Sequence, residues 1–202
     1  MTRTKDAYHH GDLRAACLRA ARELLEEDGS SALSIRAVAR RAGVSPAAPY
    51  RHYLDREALV HAIAAQGYRE LTRKLADAHP EPSTPEDLAA TAVVYVRFAL
   101  DHPGMFRLMF ADPCAPGSEE RTEATAAIFE YLTESIRRIF PAADPQALSW
   151  GVLGLVHGLA FLHLDGKFDL APQDALPERV RAAVLAVLAP SPESATEPQS
   201  TP

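Results

Sequence analysis

The side chains best suited to chemistry in this 202-residue sequence are hydrogen-bond donors concentrated between Ser34 and Tyr53. This stretch, SIRAVARRAGVSPAAPYRHY, brings together arginine, histidine, tyrosine and serine. Guanidinium, imidazole and hydroxyl groups are donors that proteins use to contact DNA phosphates and base edges. The donor set therefore predicts a surface for nucleic acid, whereas catalysis would need a nucleophile, a base or metal ligands to converge.

Two short helices around a tight turn are predicted to carry these donors. Apolar residues recur at helical spacing over residues 35–42, and the hydroxyl of Ser34 can cap the first turn. Gly43 can adopt the left-handed backbone that ends a helix, and Ser45 can cap a second helix over residues 45–53. Helix, glycine turn, helix is typical of a DNA-binding motif, although a helical hairpin that only packs has the same outline.

Composition and charge agree with a helical protein that meets DNA at one end. Hydrophobic residues make up 47% of the chain, and their spacing is helical almost throughout, which predicts an all-α fold. The net charge of −6 is uneven, because residues 1–56 carry ten Lys/Arg and seven Asp/Glu. The remainder, residues 57–202, carries eleven and twenty. A basic head on an acidic body indicates a DNA contact confined to the head.

The run AVARRAGVSPAAPYRHYLDREAL resembles the helix-turn-helix of the TetR/AcrR regulators. That family typically shows Ala-x-x-Ala-Gly-Val-Ser, an aromatic-His-aromatic group and a charged pair before the next helix. The matching residues are Ala39, Ala42, Gly43, Val44, Ser45, Tyr50, His52, Tyr53, Arg56 and Glu57. The resemblance implies an N-terminal three-helix DNA-binding domain and a C-terminal helical domain for ligand binding and dimerisation, about nine helices in all.

The resemblance also implies which residues contact DNA. Ser34, Tyr50, His52 and Arg56 would contact phosphates, whereas Arg36 and the second helix would approach base edges. The complete predicted set is Ser34, Arg36, Ser45, Pro46, Ala47, Ala48, Pro49, Tyr50, Arg51, His52, Tyr53 and Arg56. Because the two alanines offer only methyl groups, the arginines or the shape of the DNA would carry much of the sequence preference.

Breaks in composition divide the chain. The DNA-binding domain is predicted over residues 1–56, with residues 1–7 as a polar arm, and a helix over residues 55–78 connects it to a proline-rich linker. Residues 80–189 form the predicted effector-binding and dimerisation domain. Residues 190–202, rich in Ser, Pro, Glu, Thr and Gln, are expected to be disordered.

A second region of interest is the run from Pro145 to Leu164, which has no formally charged residue. Its length could span a bilayer, but its glycine, serine and histidine content favours a helix shared with a second copy of the chain. The groups around Trp150 and His157 resemble the C-terminal domain of TetR-type regulators named for a Trp-His-Gly pattern, and Tyr8–Arg14 recurs in that subgroup. The predicted dimer residues are Gly151, Gly154, Gly158, Leu162, Val180, Val184 and Val187.

Aromatic and thioether side chains are unusually frequent in the C-terminal half. They are Tyr95, Phe98, Met105, Phe106, Met109, Phe129, Trp150, His157 and Phe161. Such residues fill cores more often than they line pockets, but the resemblance implies that they surround a small effector. His157 is either a core group with its hydrogen bonds satisfied or the polar contact of that pocket.

We therefore expect a homodimeric repressor that is released from a palindromic operator by a small apolar or aromatic effector. An activator, or an effector-independent regulator with a solid core, remains the alternative. No phosphate loop, nucleophile elbow or metal-ligand spacing is present, so we expect no enzyme, cofactor or metal. His9-His10 lacks a third ligand, Cys17 is a predicted core residue, and we expect no redox role for Cys114. The polar N-terminus carries no signal peptide, so we expect a cytoplasmic protein without a membrane anchor.

Overall fold

The computed structural model describes residues 5–111, 118–168 and 175–189, with side chains from residue 13 onward. All regular structure within these ranges is helical, which confirms the predicted all-α class. The α-helices are α1 (Lys5–Asp28), α2 (Ile35–Arg41), α3 (Arg56–Ala78), α4 (Pro85–Asp101), α5 (Pro103–Ala111), α6 (Glu119–Ile139), α7 (Pro145–Leu164) and α8 (Leu176–Leu188). Short 3-10 helices lie at Ser30–Ala32 and Pro49–Arg51.

Side-chain caps determine where several helices begin. The Asp55 carboxylate accepts a 2.8 Å bond from the Ala58 amide at the start of α3. Thr84 and Asp87 form a reciprocal capping box at the start of α4. α1 begins at Lys5, within residues 1–7, which were predicted to form a polar arm.

The second helix of the predicted helix-turn-helix is not an α-helix. Residues 46–48 form a turn, and only Pro49–Arg51 is helical, with 3-10 geometry. Proline has no amide hydrogen, so Pro49 cannot donate to the carbonyl of Ser45, and the amide of Ala48 donates to that oxygen instead at 2.9 Å. We call residues 45–53 the reading segment. Its tighter winding explains why the described chain has eight α-helices rather than about nine.

α3 is the long connection between the two ends of the molecule. Its 23 residues span about 34 Å at 1.5 Å per residue. It packs extensively on α6 and also contacts α1, α4 and α5. Gly67 allows the close approach of α5, because a Cβ placed there would lie 2.6 Å from the sulfur of Met109. A continuous core therefore extends from Cys17 in α1 to Leu188 in α8.

We call helices α3 to α8 the C-terminal body. Within it, α4 packs against α7 and α8. By length and composition alone, α7 is long and apolar enough to cross a membrane. Only 22% of its most apolar 18-residue stretch is buried within the chain. Its buried residues, Ser149, Val152, Val156 and Ala160, form a single face. The outer face of α7 is therefore apolar and uncovered by the described part of this chain.

Several predictions fall on residues that the structure does not describe. These are the predicted disorder of residues 190–202, the role of Cys114, and the side chains of His9 and His10. Cys17, by contrast, is fully buried, as expected for a core residue, and burial raises the pKa of its thiol.

Candidate DNA-binding surface and effector cavity

Backbone and cap hydrogen bonds fix the turn that carries the reading segment. The Ser34 hydroxyl accepts a 3.1 Å bond from the Ala37 amide, so it caps α2 as predicted. Gly43 follows α2 with φ +68°, the left-handed conformation that favours glycine. The Val44 amide then donates to the Ala39 carbonyl at 3.0 Å. These contacts set the direction in which the reading segment leaves α2.

Most of the predicted DNA-binding residues share an exposed surface. The exposed members are Ser34, Arg36, Ser45, Pro46, Ala47, Tyr50, Arg51 and Arg56. Ala48 and His52 are half-buried. Arg36 and Arg51 form no ion pair with any residue in the described ranges, whereas Arg41 binds Glu27 at 2.6 Å. The surface therefore presents the guanidinium groups of Arg36 and Arg51, neither of which is ion-paired within the described ranges, beside small apolar side chains.

Two members of the predicted DNA-binding set lie in the core instead. Pro49 is buried, and Tyr53 is only 2% exposed. The Tyr53 hydroxyl lies 3.5 Å from the Arg14 carbonyl oxygen of α1, to which it donates a long hydrogen bond. Burial raises its pKa to about 12, so the hydroxyl stays protonated. Packing on α1 explains both positions: these residues hold the reading segment in place and are not accessible to DNA.

Arg56 has a structural role that its sequence position does not reveal. Its Nε donates to the Leu33 carbonyl and its Nη2 to the Ser30 carbonyl, each at 2.9 Å. These bonds tie the first turn of α3 to the segment before α2. The side chain remains exposed, so a phosphate contact through this residue stays a prediction.

We predict that Arg51→Ala lowers the affinity for a specific operator by about 1–3 kcal/mol, the usual value of one bidentate arginine–guanine contact. Affinity for scrambled DNA should change much less. Arg41→Ala is the matched control, because Arg41 binds Glu23 and Glu27 of α1. Fluorescence anisotropy measures both variants. If Arg51→Ala kept the full operator preference, the residue would not read bases.

Sequence reasoning missed a polar junction that joins α1 to the C-terminal body. The Glu26 carboxylate accepts bonds from the amides of Gly104 at 2.8 Å and Met105 at 3.1 Å, in the first turn of α5. A Cβ on Gly104 would lie 2.5 Å from the Leu25 carbonyl oxygen, so only glycine allows this approach. No local sequence motif predicts this junction, because Gly104 and Met105 lie 78 and 79 residues after Glu26.

Arg22 and Arg14 add further contacts between α1 and the body. Arg22 donates to Glu70 of α3 at 2.6 Å and to the Nδ1 atom of His102 at 3.1 Å. Near the other end of α1, Glu120 of α6 accepts bonds from Arg14 at 2.9 Å and from Arg69 at 2.8 Å. The helix that supports the reading segment is thus fixed to α3, α5 and α6.

A small apolar cavity lies between α3, α4, α6 and α7. Its volume is about 50 Å³. It is lined by Leu75, Leu88, Thr91, Ala92, Tyr95, Ile128, Phe129, Tyr131, Leu132, Val152, Leu153 and Val156. The lining contains three hydroxyl groups and no formally charged side chain.

The predicted ligand-binding residues are distributed between this cavity and its surroundings. Tyr95 and Phe129 line the cavity. Four others, Phe98, Met105, Phe106 and Met109, are buried in the core. Trp150 is 62% exposed and does not line the cavity, because it lies off the buried face of α7. The predicted set is therefore corrected at Trp150.

His157 occupies an aromatic cluster next to the cavity. Its Nδ1 atom shares a 3.0 Å hydrogen bond with the Tyr95 hydroxyl. The rings of Phe110 and Phe161 lie 4.5 and 4.8 Å from the imidazole, centroid to centroid. Desolvation lowers the pKa of His157, which favours the neutral ring. Both readings of this residue hold in part, since it is hydrogen-bonded and also adjoins the cavity wall.

The lowered pKa predicts how stability changes with pH. Because the folded-state pKa of His157 lies below the unfolded value of 6.5, the unfolded chain binds more protons as the pH falls through that range. The free energy of unfolding should therefore fall as the pH is lowered from 7 to 5.5. His157→Gln should flatten this dependence in chemical denaturation. It should not abolish it, because the pKa of His102 is also lowered, mainly by desolvation. Identical slopes would contradict the assignment.

The predicted dimer residues fall into two groups. Gly151, Gly154, Leu162 and Val187 are exposed, and Gly158 is half-buried. A Cβ on any of the three glycines would meet no atom within 4 Å, so packing within this chain does not require glycine there. Val180 and Val184 are buried within the protomer and are not available to a partner, because α8 turns that face towards α4.

Comparison with known proteins gives a consistent result over most of the chain. Residues 88–188 match the family model "Tetracyclin repressor-like, C-terminal domain", and residues 18–63 match "Bacterial regulatory proteins, tetR family". The nucleoid occlusion factor SlmA of Marinomonas sp. (strain MWYL1) is 24% identical over 182 residues, which are 83% of this chain and 91% of that protein. The uncharacterized HTH-type transcriptional regulator YobS of Bacillus subtilis (strain 168) is 28% identical over 153 residues, 74% of this chain and 78% of that protein.

A solved structure resembles the whole architecture. The protein of unknown function from Rhodococcus sp. RHA1 is 36% identical to this chain, with a TM-score of 0.77. The alignment covers 90% of this chain and 96% of the other. The similarity therefore includes both the reading segment and the helices around the cavity.

Proposed function

This chain is a member of the TetR family and a DNA-binding transcription regulator, and from that premise we propose that it is a homodimeric repressor released from a palindromic operator by a small apolar effector. The observation that carries the proposal is the exposed predicted DNA-binding surface, in which Arg36 and Arg51 form no ion pair within the described ranges. The length of α3 separates this surface from the apolar cavity. We assign DNA binding to residues 1–56, with α3 as the connection, and effector binding and dimerisation to residues 80–189.

A second copy of the chain is the partner that best fits the outer face of α7. An exposed apolar helix needs cover, and small residues let a partner helix approach closely. Gly151, Gly154 and Gly158 share this face with Leu162, and Val187 of α8 is 57% exposed. A dimer would place two reading segments on one operator, which matches a two-fold symmetric DNA site. This cover favours a cytoplasmic protein over one anchored in a membrane.

Gly158→Leu should convert the dimer to a folded monomer. The larger side chain has space within its own chain, so the helical circular dichroism should persist while the partner helix is pushed away. Ala126→Leu, on the exposed face of α6, is the matched control and should remain dimeric. Light scattering measures both masses. A dimeric Gly158→Leu variant would place the interface elsewhere.

Effector binding would reach the reading segment through α3, α5 and α1. Leu75 of α3 lines the cavity, and the Tyr131 hydroxyl from the cavity wall donates to the His79 carbonyl, just after α3, at 2.7 Å. Glu26 then joins the first turn of α5 to α1. Displacement of α6 would shift the end of α3 and change the spacing of the two reading segments. DNA and effector would oppose each other by linkage.

Glu26→Ala should lower the free energy of unfolding by about 1–3 kcal/mol, because two amides at the start of α5 lose a charged acceptor. It should also weaken operator binding, because one of the contacts that hold α1 to the body is lost. Glu23→Ala is the control: this exposed carboxylate binds only Arg41 at 3.4 Å, so the loss should be much smaller. Urea denaturation and anisotropy provide the readouts, and equal losses would refute a special role for Glu26.

The proposed function is tested by titrating the protein with DNA from upstream of its own gene. Fluorescence anisotropy across a salt series, with scrambled DNA as the control, should show sequence-selective binding that persists at salt concentrations where the control is lost. Equal affinity for both DNAs, with the same steep salt dependence, would indicate only non-specific phosphate contacts and would contradict the regulator.

The size of the cavity supports a second candidate, a repressor or activator that needs no effector. About 50 Å³ is below the 300–1,000 Å³ usual for ligand pockets, so an effector must open the cavity further. A solid core that excludes all small molecules would favour this second function. In either case we propose regulation without catalysis, cofactor or metal.

A further inference from the structure

The wall of the cavity restricts the chemistry of any molecule that binds there. No formally charged side chain lines it, and all but three of its lining residues are apolar. A charged ligand would lose its hydration without gaining an ionic partner, which is strongly unfavourable. An apolar body, in contrast, gains from contact with the leucine, isoleucine and valine side chains. The cavity therefore selects against anions and cations.

The three hydroxyl groups of the wall differ in their freedom to bind a ligand. Thr91 donates to the Asp87 carbonyl at 2.9 Å, and Tyr131 donates to the His79 carbonyl at 2.7 Å. Both bonds go to backbone acceptors, which cannot rotate away. Thr91 and Tyr131 also hydrogen-bond to each other, whereas the Tyr95 hydroxyl is paired with the side chain of His157.

The Tyr95–His157 pair can present either hydrogen-bonding role. A neutral imidazole has two tautomers, so Nδ1 can accept from the Tyr95 hydroxyl or donate to it. In the first case the phenol oxygen offers a lone pair to a ligand, and in the second it offers its proton. Burial raises the pKa of Tyr95 and desolvation lowers that of His157, which keeps both groups neutral.

The least buried part of the wall indicates the route of entry. Leu75, Leu88 and Val156 are buried, whereas Phe129 and Leu132 of α6 are only half-buried, as is Leu153 of α7. An apolar cavity of about 150 Å³ holds benzene, so this cavity of about 50 Å³ must expand before it accepts a ring. Half-buried side chains on both helices favour opening between α6 and α7.

We propose that the effector is a small, neutral, largely apolar molecule with one hydrogen-bonding group, which enters between α6 and α7 and bonds to the Tyr95 hydroxyl. This inference rests on the proposed function, because it assumes that the cavity is the effector site. It adds that the effector is neutral and carries one hydrogen-bonding group, and it makes Tyr95 the residue that determines specificity.

The test uses the full-length protein and three probes that share one ring: benzene, phenol and benzoate. Isothermal titration calorimetry should show phenol binding about 3- to 10-fold more tightly than benzene, the usual gain from one hydrogen bond. Benzoate should show no binding at the same concentrations. Tyr95→Phe should reduce phenol to the affinity of benzene, and circular dichroism confirms that this isosteric variant is folded.

Thr91→Val is the matched control, because it removes a wall hydroxyl already committed to a backbone carbonyl. It should leave the phenol-to-benzene ratio unchanged. Benzoate binding as tightly as phenol, an unchanged ratio in Tyr95→Phe, or no binding of any probe would overturn the proposal.

Operator release, followed by anisotropy in the same samples, separates this proposal from the proposed function. Phenol bound through Tyr95 without release of DNA would support the ligand class and contradict regulation through the cavity. Release by benzoate alone would support regulation by a ligand and contradict the class.

Discussion

The contact between Glu26 and the first turn of α5 is the constraint on which the rest of the structure depends. α1 packs against α2 and the reading segment, so its position sets the position of the DNA-binding surface. The carboxylate of Glu26 fixes α1 to α5 through two amides, and Gly104 permits the close approach. α5 in turn packs on α3 at Gly67. Without this contact, motion around the cavity would reach residues 1–56 through the Arg22 and Arg14 ion pairs, the Arg56 bonds to the Ser30 and Leu33 carbonyls, and apolar packing.

Local signals made the helix boundaries predictable. Asp55 and Thr84 bind amides in the turns that follow them, so their effect depends on a few neighbouring residues. The winding of the reading segment was only partly predictable, because Pro49 removes the bond that would have kept it α-helical. The burial of Pro49 and Tyr53 follows from packing on α1, which no local sequence pattern predicts. The helical spacing of Ser149, Val152 and Val156 could have placed Trp150 outside the cavity.

Polar contacts between residues far apart in the sequence could not be predicted from local patterns. Glu26 and Arg56 look like ordinary surface charges, yet their partners are backbone groups more than twenty residues away. The same limitation applies to His157, whose Tyr95 partner lies 62 residues earlier. Because the cavity is small, part of the binding free energy of an effector must be used to separate α6 from α7. Affinity for the effector and for DNA would then be coupled through the same rearrangement.

The most direct test of the central claim is the composition of the DNA complex. Analytical ultracentrifugation with an inverted repeat from the upstream DNA, combined with hydroxyl-radical footprinting, gives both stoichiometry and spacing. Two protomers should bind each repeat and protect half-sites about one helical turn, roughly 34–36 Å, apart. Saturation by a single protomer, or protection that ignores the repeat, would contradict a dimer that reads DNA with paired reading segments.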